Sequence, residues 1–381
     1  SMGDGFLDSV QGLKELKIFR ADEARNIKMN EQAEDFRRIT MKVLVMQLAS
    51  TTIMDLVAYG GAGLGVCMSI RAALNGADPA VSLFLILVAV EFFLPLRSLG
   101  SAFHVAMNGA SAGQKIVSLL EQEEPKWGKK ESKESTLSLE HVTFSYDGQR
   151  QVLSDVSMEF PPCSMTAIVG ESGAGKSTVV SLLCGGRRPN AGKVLLGSTS
   201  IDELKRESFY KRLAVVSYNT YIFNDTVRAN FQLASPDVSE KTIWDALAQV
   251  RLDDFIRDSG GLDKVISEDG ANISGGQKQR LALAIALAAD KDIYLFDEAT
   301  SNIDVDSESV IMDTVHKLAE SKTVIVISHR LANVEKADKI YVLADGRVAE
   351  SGTHQKLLEN GGMYSQMYLT QKSLEEVDIN E

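Results

Sequence analysis

Hydrophobic and polar positions divide the chain into two unlike parts. Residues 5–42 mix Lys, Glu and Arg with apolar residues such as Leu13, Leu16, Ile18 and Phe19, a pattern that predicts one long, charged, cytoplasmic helix. From Val43 to Ile70 only Asp55 is charged. A helix of that length, at about 1.5 Å per residue, would reach about 42 Å, more than a hydrocarbon core of about 30 Å. This predicts a membrane-crossing helix over 43–70. Gly61 and Gly65, four apart in it, would let a neighbouring helix approach closely. After the polar connection Arg71–Pro79, the run from Ala80 to Leu96 is broken only by Glu91. It predicts a second membrane helix over about 80–100, followed by a cytoplasmic helical extension to 121. Arg37, Arg38 and Lys42 precede the pair and Arg97 and Lys115 follow it, which places both ends in the cytoplasm, with Arg71 in the hairpin as a contrary charge. Asp55 and Glu91 are costly in lipid and should face a partner helix or a water-filled path.

The pattern changes at 122–135 (QEEPKWGKKESKES), which is charged, holds Pro and Gly, lacks periodicity and reads as a linker. Beyond it, short β-branched runs alternate with helical patterns. Leu137–Ser145, Met165–Val169, Leu213–Ser217, Ile293–Phe296 and Thr323–Ile327 are the strand candidates, and their alternation predicts an α/β domain over 136–372 with a largely parallel central sheet. Residues 373–381 are expected to form a disordered tail.

Composition adds limits. The formal charge of -12 argues against a nucleic-acid partner, which needs clustered Lys and Arg. Cys67, Cys163 and Cys184 show no metal-ligand spacing and read as buried, reduced thiols.

Candidate chemistry is concentrated in the second part. Gly170-Glu171-Ser172-Gly173-Ala174-Gly175-Lys176-Ser177-Thr178 matches a phosphate-binding loop set between an apolar strand and a helix. The backbone N–H groups of Gly170, Ser172, Gly173, Ala174, Gly175 and Thr178 would wrap phosphates. Lys176 would reach the β- and γ-phosphates of ATP, and Ser177 would ligate Mg²⁺. Asp292–Glu298 (DIYLFDE) is an apolar strand ending in two acids. Asp297 suits a metal ligand acting through water, and Glu298 suits polarising an attacking water for in-line displacement at the γ-phosphate.

Ile273-Ser274-Gly275-Gly276-Gln277 resembles the signature of ATP-binding cassette (ABC) transporters. The resemblance implies a P-loop NTPase cassette with a mostly parallel sheet, an antiparallel β subdomain and a helical subdomain, preceded by an all-α transmembrane segment. It also implies that Ser274, Gly275, Gly276 and Gln277 of one subunit bind the γ-phosphate of ATP held by the other, so that two nucleotides join a dimer. Tyr146 matches the aromatic that stacks on adenine, Ser301-Asn302-Ile303-Asp304 the D-loop, and His329 the switch histidine. One position departs from the pattern: Tyr218 stands where the family usually has a Gln that ligates Mg²⁺ and senses the γ-phosphate, unless Asn219 substitutes.

The N-terminal part resembles exporters too. Gly12–Phe19 looks like the segment leading into the fifth transmembrane helix, which implies that the first four membrane helices of a six-helix half-transporter lie outside this sequence. Asp55–Gly61 and Glu91–Asn108 look like the paired thiol exporters that support cytochrome bd assembly. The resemblance implies an ATPase subunit of an exporter in the cell membrane, multi-pass, its cassette in the cytoplasm. Its partners would be a second cassette subunit, identical or related, the lipid bilayer and an exported substrate. Two alternatives stay open: a regulatory half of a heterodimer with weakened hydrolysis, supported by Tyr218 and opposed by Glu298 and His329, and a soluble cassette ATPase, disfavoured by charge and hydropathy.

Overall fold

The computed structural model describes residues 2–121, 125–148, 150–301 and 303–378. The chain forms two units, Ser1–Glu123 and Glu124–Glu381.

The described part of the first unit contains helices only, Met2–Gln11, Leu13–Ile18, Asp22–Leu74 and Pro79–Leu120, joined by short turns. The single helix expected over 5–42 is therefore broken twice, at Gly12 and at Phe19–Ala21, where Arg20 takes the left-handed φ of 52°. Arg25 explains the turn-back. Its guanidinium donates to Ser9 Oγ at 2.8 Å, to the Gly5 carbonyl at 3.0 Å and to Asp8 at 2.7 Å, which lays the first helix along the long one. Asp22–Leu74 then runs unbroken for 53 residues, joining the charged stretch to the apolar one.

Two helices of this unit approach at small residues. A Cβ on Gly65 would stand 2.9 Å from Ala89 Cβ, and Ala58, Ser69 and Ser82 are buried nearby in sequence. The helix Pro79–Leu120 starts on a cap, Asp78 Oδ1 accepting from Ala80 N–H at 2.8 Å, with Pro79 in the first position where no N–H is needed. Among the described residues, Asp22–Leu74 is the one helix long and apolar enough to cross a membrane, and Pro79–Ala89 is a shorter apolar stretch. Asp55 is half-buried and Glu91 exposed.

The second unit is the α/β part. In chain order its strands are β1 (Leu137–Ser145), β2 (Gln151–Phe160), β3 (Ser164–Val169), β4 (Ala191–Leu196), β5 (Thr199–Ser200), β6 (Leu213–Ser217), β7 (Asp225–Thr226), β8 (Val265–Ile266), β9 (Ile293–Asp297), β10 (Thr323–Ile327), β11 (Lys339–Ala344) and β12 (Arg347–Gly352). Six of them form one sheet in the order β12-β11-β3-β10-β9-β6, parallel except for β12. The order β2-β1-β4-β5 makes a second, antiparallel sheet. β1 belongs to this second sheet, the antiparallel β subdomain that the resemblance implied. Its connection to β2, residues 146–150, is too short for a parallel crossover, so the two strands pair as a hairpin.

β3, β9 and β10 read as mostly apolar runs because helices or the second sheet cover both faces. Val324 and Val326 of β10 face one core with Tyr294, Phe296 and Leu281; Ile325 and Ile327 face the other with Leu295, Leu139 and Phe160. Burying each such side chain is worth about 1.5–3 kcal/mol.

Residues 125–135, expected as part of a linker, are sewn along this unit. Gly128 and Lys130 donate backbone N–H groups to Leu204 and Glu203 carbonyls at 2.9 and 2.8 Å, and the Trp127 ring lies 5.6 Å from Phe209. Residues 122–124 of the same stretch lie outside the described residues. The last helix, Met363–Asp378, extends through 373–378, where a disordered tail was expected, and 379–381 lie outside the described residues. All three cysteines are free, but Cys67 and Cys163 are exposed and only Cys184 is partly buried, which corrects the expected burial.

Candidate nucleotide site

Four parallel strands end at one level. Ile327 of β10 pairs with Ile168 of β3 and with Asp297 of β9, and Asp297 pairs with Ser217 of β6. The residues that follow, Gly170, Ser328-His329, Glu298 and Tyr218, therefore open together at the carboxyl edge of the sheet, where parallel α/β sheets bind ligands.

The phosphate loop turns from β3 into the helix Lys176–Leu183. Gly175 sits at its N-terminus with φ 106°, a left-handed conformation that calls for glycine, and a Cβ there would stand 2.8 Å from Leu153 Cδ2, which would have to shift. Ser172 and Gly173 are exposed on the loop, Ala174 is buried, and Ser177 is exposed in the first helical turn beside buried Thr178. Lys176 is 9% exposed and donates to the Gly170 and Glu171 carbonyls at 2.7 and 2.8 Å, which holds its ammonium over the loop. Burial holds the Lys176 pKa below its ordinary value, against the pull of Glu298 and Asp297. Burial pushes the Asp297 carboxyl up, Glu298 adds to the rise and Lys176 opposes it. These three groups thus share one electrostatic environment.

Glu298 leaves β9 with φ 51°, a left-handed conformation costing a non-glycine residue about 1 kcal/mol, and its N–H donates to the Ile327 carbonyl at 3.0 Å. Glu298 Oε2 stands 3.7 Å from His329 Nδ1, with the histidine side chain 53% exposed. Tyr218 N–H donates to the Asp297 carbonyl at 3.1 Å while its ring is exposed, and Asn219 Oδ1 accepts from Ser217 Oγ at 2.9 Å. Tyr146 is exposed, its hydroxyl 3.1 Å from Thr178 Oγ1, with the Arg187 guanidinium 4.6 Å over its ring.

The signature residues form a separate group. Ser274 caps the helix Gly275–Ala288: its Oγ accepts from Gln277 N–H, and Gln277 Oε1 accepts from Ser274 N–H at 2.9 Å. Gln277 is thus turned back onto the cap, leaving Ser274 and Gly275 exposed. Gly276 is buried against Asp304 and Ser307, which open the next helix, Val305–Ala319. Asp304 Oδ2 accepts from Ser307 N–H at 2.8 Å, and that bond holds its carboxyl below the usual value. Asn302 of the same segment lies outside the described residues.

One residue that sequence reasoning missed connects the two groups. Gln279, 4% exposed on the signature helix, donates its amide to the Ser217 and Tyr218 carbonyls at 3.2 and 2.6 Å. No sequence signal marks it, since its role depends on which strand end the helix meets.

The two sheets, the loop after β3 and the acids after β9 define a P-loop NTPase cassette preceded by a helical segment. The ABC transporter family model matches residues 153–301. An ABC transporter ATP-binding protein of Haemophilus influenzae is 42% identical over 99% of this chain and 68% of its own length. The chain belongs to the ABC transporter family. ATP-dependent lipid A-core flippases of Haemophilus ducreyi and Chromobacterium violaceum are 34% and 32% identical over 98% and 97% of the chain, which spans 66% and 65% of those proteins. The structure of a bacterial Atm1-family ABC exporter with ATP bound matches with a TM-score of 0.82 and 28% identity, over 96% of this chain and 65% of that one. The chain thus spans about two thirds of the length of these relatives.

Proposed function

We propose that this chain is an ATP-binding and ATP-hydrolysing subunit of an ABC-type exporter, in which closure of two cassettes on ATP drives export across the cell membrane. One observation carries the reading: the common register that opens Gly170, Tyr218, Glu298 and His329 at one edge of the sheet. In this reading the loop amides and Lys176 bind the phosphates, and the exposed ring of Tyr146 stacks on adenine. Glu298 orients and deprotonates water for attack on the γ-phosphate, and His329 contacts that phosphate.

Ser177 and Asp297 are hard oxygen donors that fit Mg²⁺, which keeps several waters and phosphate oxygens among its ligands. When bound, the ion would neutralise charge on the phosphates. Ser274, Gly275 and Gly276 would close over ATP bound to a second subunit, with Asp304 supporting them. The basic residues flanking the apolar stretches support a cytoplasmic cassette.

The relatives named for a substrate are lipid A-core flippases. A lipid is therefore the first substrate class to assay in vesicles, with the thiol suggested by Asp55–Gly61 and Glu91–Asn108 as the comparison. Tyr218 favours the second reading, a regulatory half with slow hydrolysis. Binding of Mg·ATP to the purified chain, its loss in Lys176→Ala and its turnover rate test the proposal: no binding sinks both readings, and binding with negligible turnover by a self-paired chain favours the second.

A further inference from the structure

The C-terminal helix Met363–Asp378 grips the loop that carries His329. Gln371 Nε2 donates to the His329 carbonyl at 2.6 Å, and Gln371 Oε1 accepts from Leu331 N–H at 2.9 Å. The two ends of one amide are matched to the two backbone groups on either side of Arg330. Among side chains of this length only an amide supplies a donor and an acceptor together.

The helix does not depend on Gln371 for its seat. Tyr364 is fully buried with its hydroxyl 2.7 Å from His354 Nδ1, and the Tyr368 hydroxyl donates to Glu335 at 2.6 Å. Spacings of four and then three put Tyr364, Tyr368 and Gln371 on one helical face. The loop's other flank is held independently. Arg330 pairs with Glu308, which is buried and also accepts from Asn333 Nδ2 at 2.7 Å, and Ser328 Oγ accepts from Arg330 N–H at 3.0 Å. Removing the Gln371 amide would therefore leave the helix docked and loosen the backbone at His329 itself.

We infer that Gln371 is a positioning residue for His329. It fixes the backbone from which the imidazole projects and so sets the 3.7 Å approach to Glu298. The inference rests on the proposed role of His329 in hydrolysis. It also makes the last helix a part of the catalytic apparatus, since a shift of that helix moves the histidine.

The test is a double-mutant cycle in the membrane-embedded chain in detergent. Gln371→Met keeps length and loses the amide. It is expected to lower kcat about tenfold, less than the roughly hundredfold that a misplacement of about 1 Å can cost, with the KM for ATP and the melting temperature nearly unchanged. In a His329→Ala background the same change should have no further effect. Gln371→Glu keeps the acceptor for Leu331 and loses the donor for His329, so it should also lower kcat, and it serves if the Met variant folds poorly. If His329→Ala is impaired while both Gln371 variants turn over normally, the inference fails and the reading of His329 stands. If His329→Ala itself hydrolyses ATP at the full rate, that reading fails, and the inference with it. Equal losses from Gln371→Met in both backgrounds would show that it acts elsewhere and overturn the inference.

Discussion

Gly276 and Asp304 stand in direct contact across the two helices they open: a Cβ on Gly276 would lie 2.6 Å from Asp304 Oδ1. The signature glycine is thus also a packing residue, and the cap it touches cannot move without losing the Ser307 bond. Gly276→Ala should cost about 1–3 kcal/mol of stability through overpacking. It should depress ATPase activity even at temperatures where the protein is folded. Thermal unfolding and steady-state turnover read the two effects, and Ser307→Gly, which opens space at the same point, should restore part of both. An unchanged melting temperature for Gly276→Ala would show that the contact relaxes freely.

Glu298→Gln removes the proposed base and keeps the shape. Hydrolysis should fall by about a hundredfold or more, the usual contribution of a general base, while ATP binding persists. Size-exclusion chromatography with Mg·ATP should then show an accumulated cassette dimer. Full-rate hydrolysis by this variant would remove Glu298 from the role.

Tyr218→Gln should be tolerated structurally, because the backbone at 218 is held by Asp297 and Gln279 while the ring is exposed. Turnover is expected to rise and to depend more steeply on Mg²⁺ concentration. Identical rates and metal dependence in the two proteins would free the tyrosine of any part in catalysis.

Cys184 offers a test of the core beside the phosphate loop. Burial, with a smaller contribution from Asp297, pushes its thiol up to about 12 from 9.0. A raised folded pKa gives stability that is complete below pH 9 and is lost as pH rises from 9 towards 12, because the unfolded thiol ionises first. In a Cys67→Ser, Cys163→Ser background, a thiol reagent at pH 8 should label the protein only after denaturant is added. Rapid labelling of the folded protein would contradict the burial.

The parallel strands β3, β6, β9 and β10 were legible in the sequence because burial leaves mostly apolar runs, as in Thr323–Ile327, whereas β11, Lys339–Ala344 beside β3, was missed although it is equally apolar. β12 was not legible, since Arg347–Gly352 exposes every second residue and carries no apolar run. The phosphate loop and the acids at the end of β9 could be proposed from sequence because nucleotide chemistry would restrict residue type at fixed positions, and His329 through the resemblance to the cassette family. Gln279 and Gln371 could not be, because a neutral amide can serve backbone groups wherever two segments meet, and only the fold says where they do. The breaks at Gly12 and Arg20 were hidden by charged, helix-compatible sequence on both sides. What stops the helix there is Arg25 reaching back, a contact between residues 16 to 20 positions apart.

The shared level at which β3, β6, β9 and β10 end has a further consequence for biosynthesis. The residues at that edge come from positions 170 to 329, and the sheet order interleaves early and late strands. A nascent chain that has emerged only as far as β9 lacks the strand that separates β3 from β9, so it holds loop and acids without their spacing. The spacing between loop and acids is therefore fixed only once β10 has taken its place between β3 and β9, a non-local pairing that comes late in the chain.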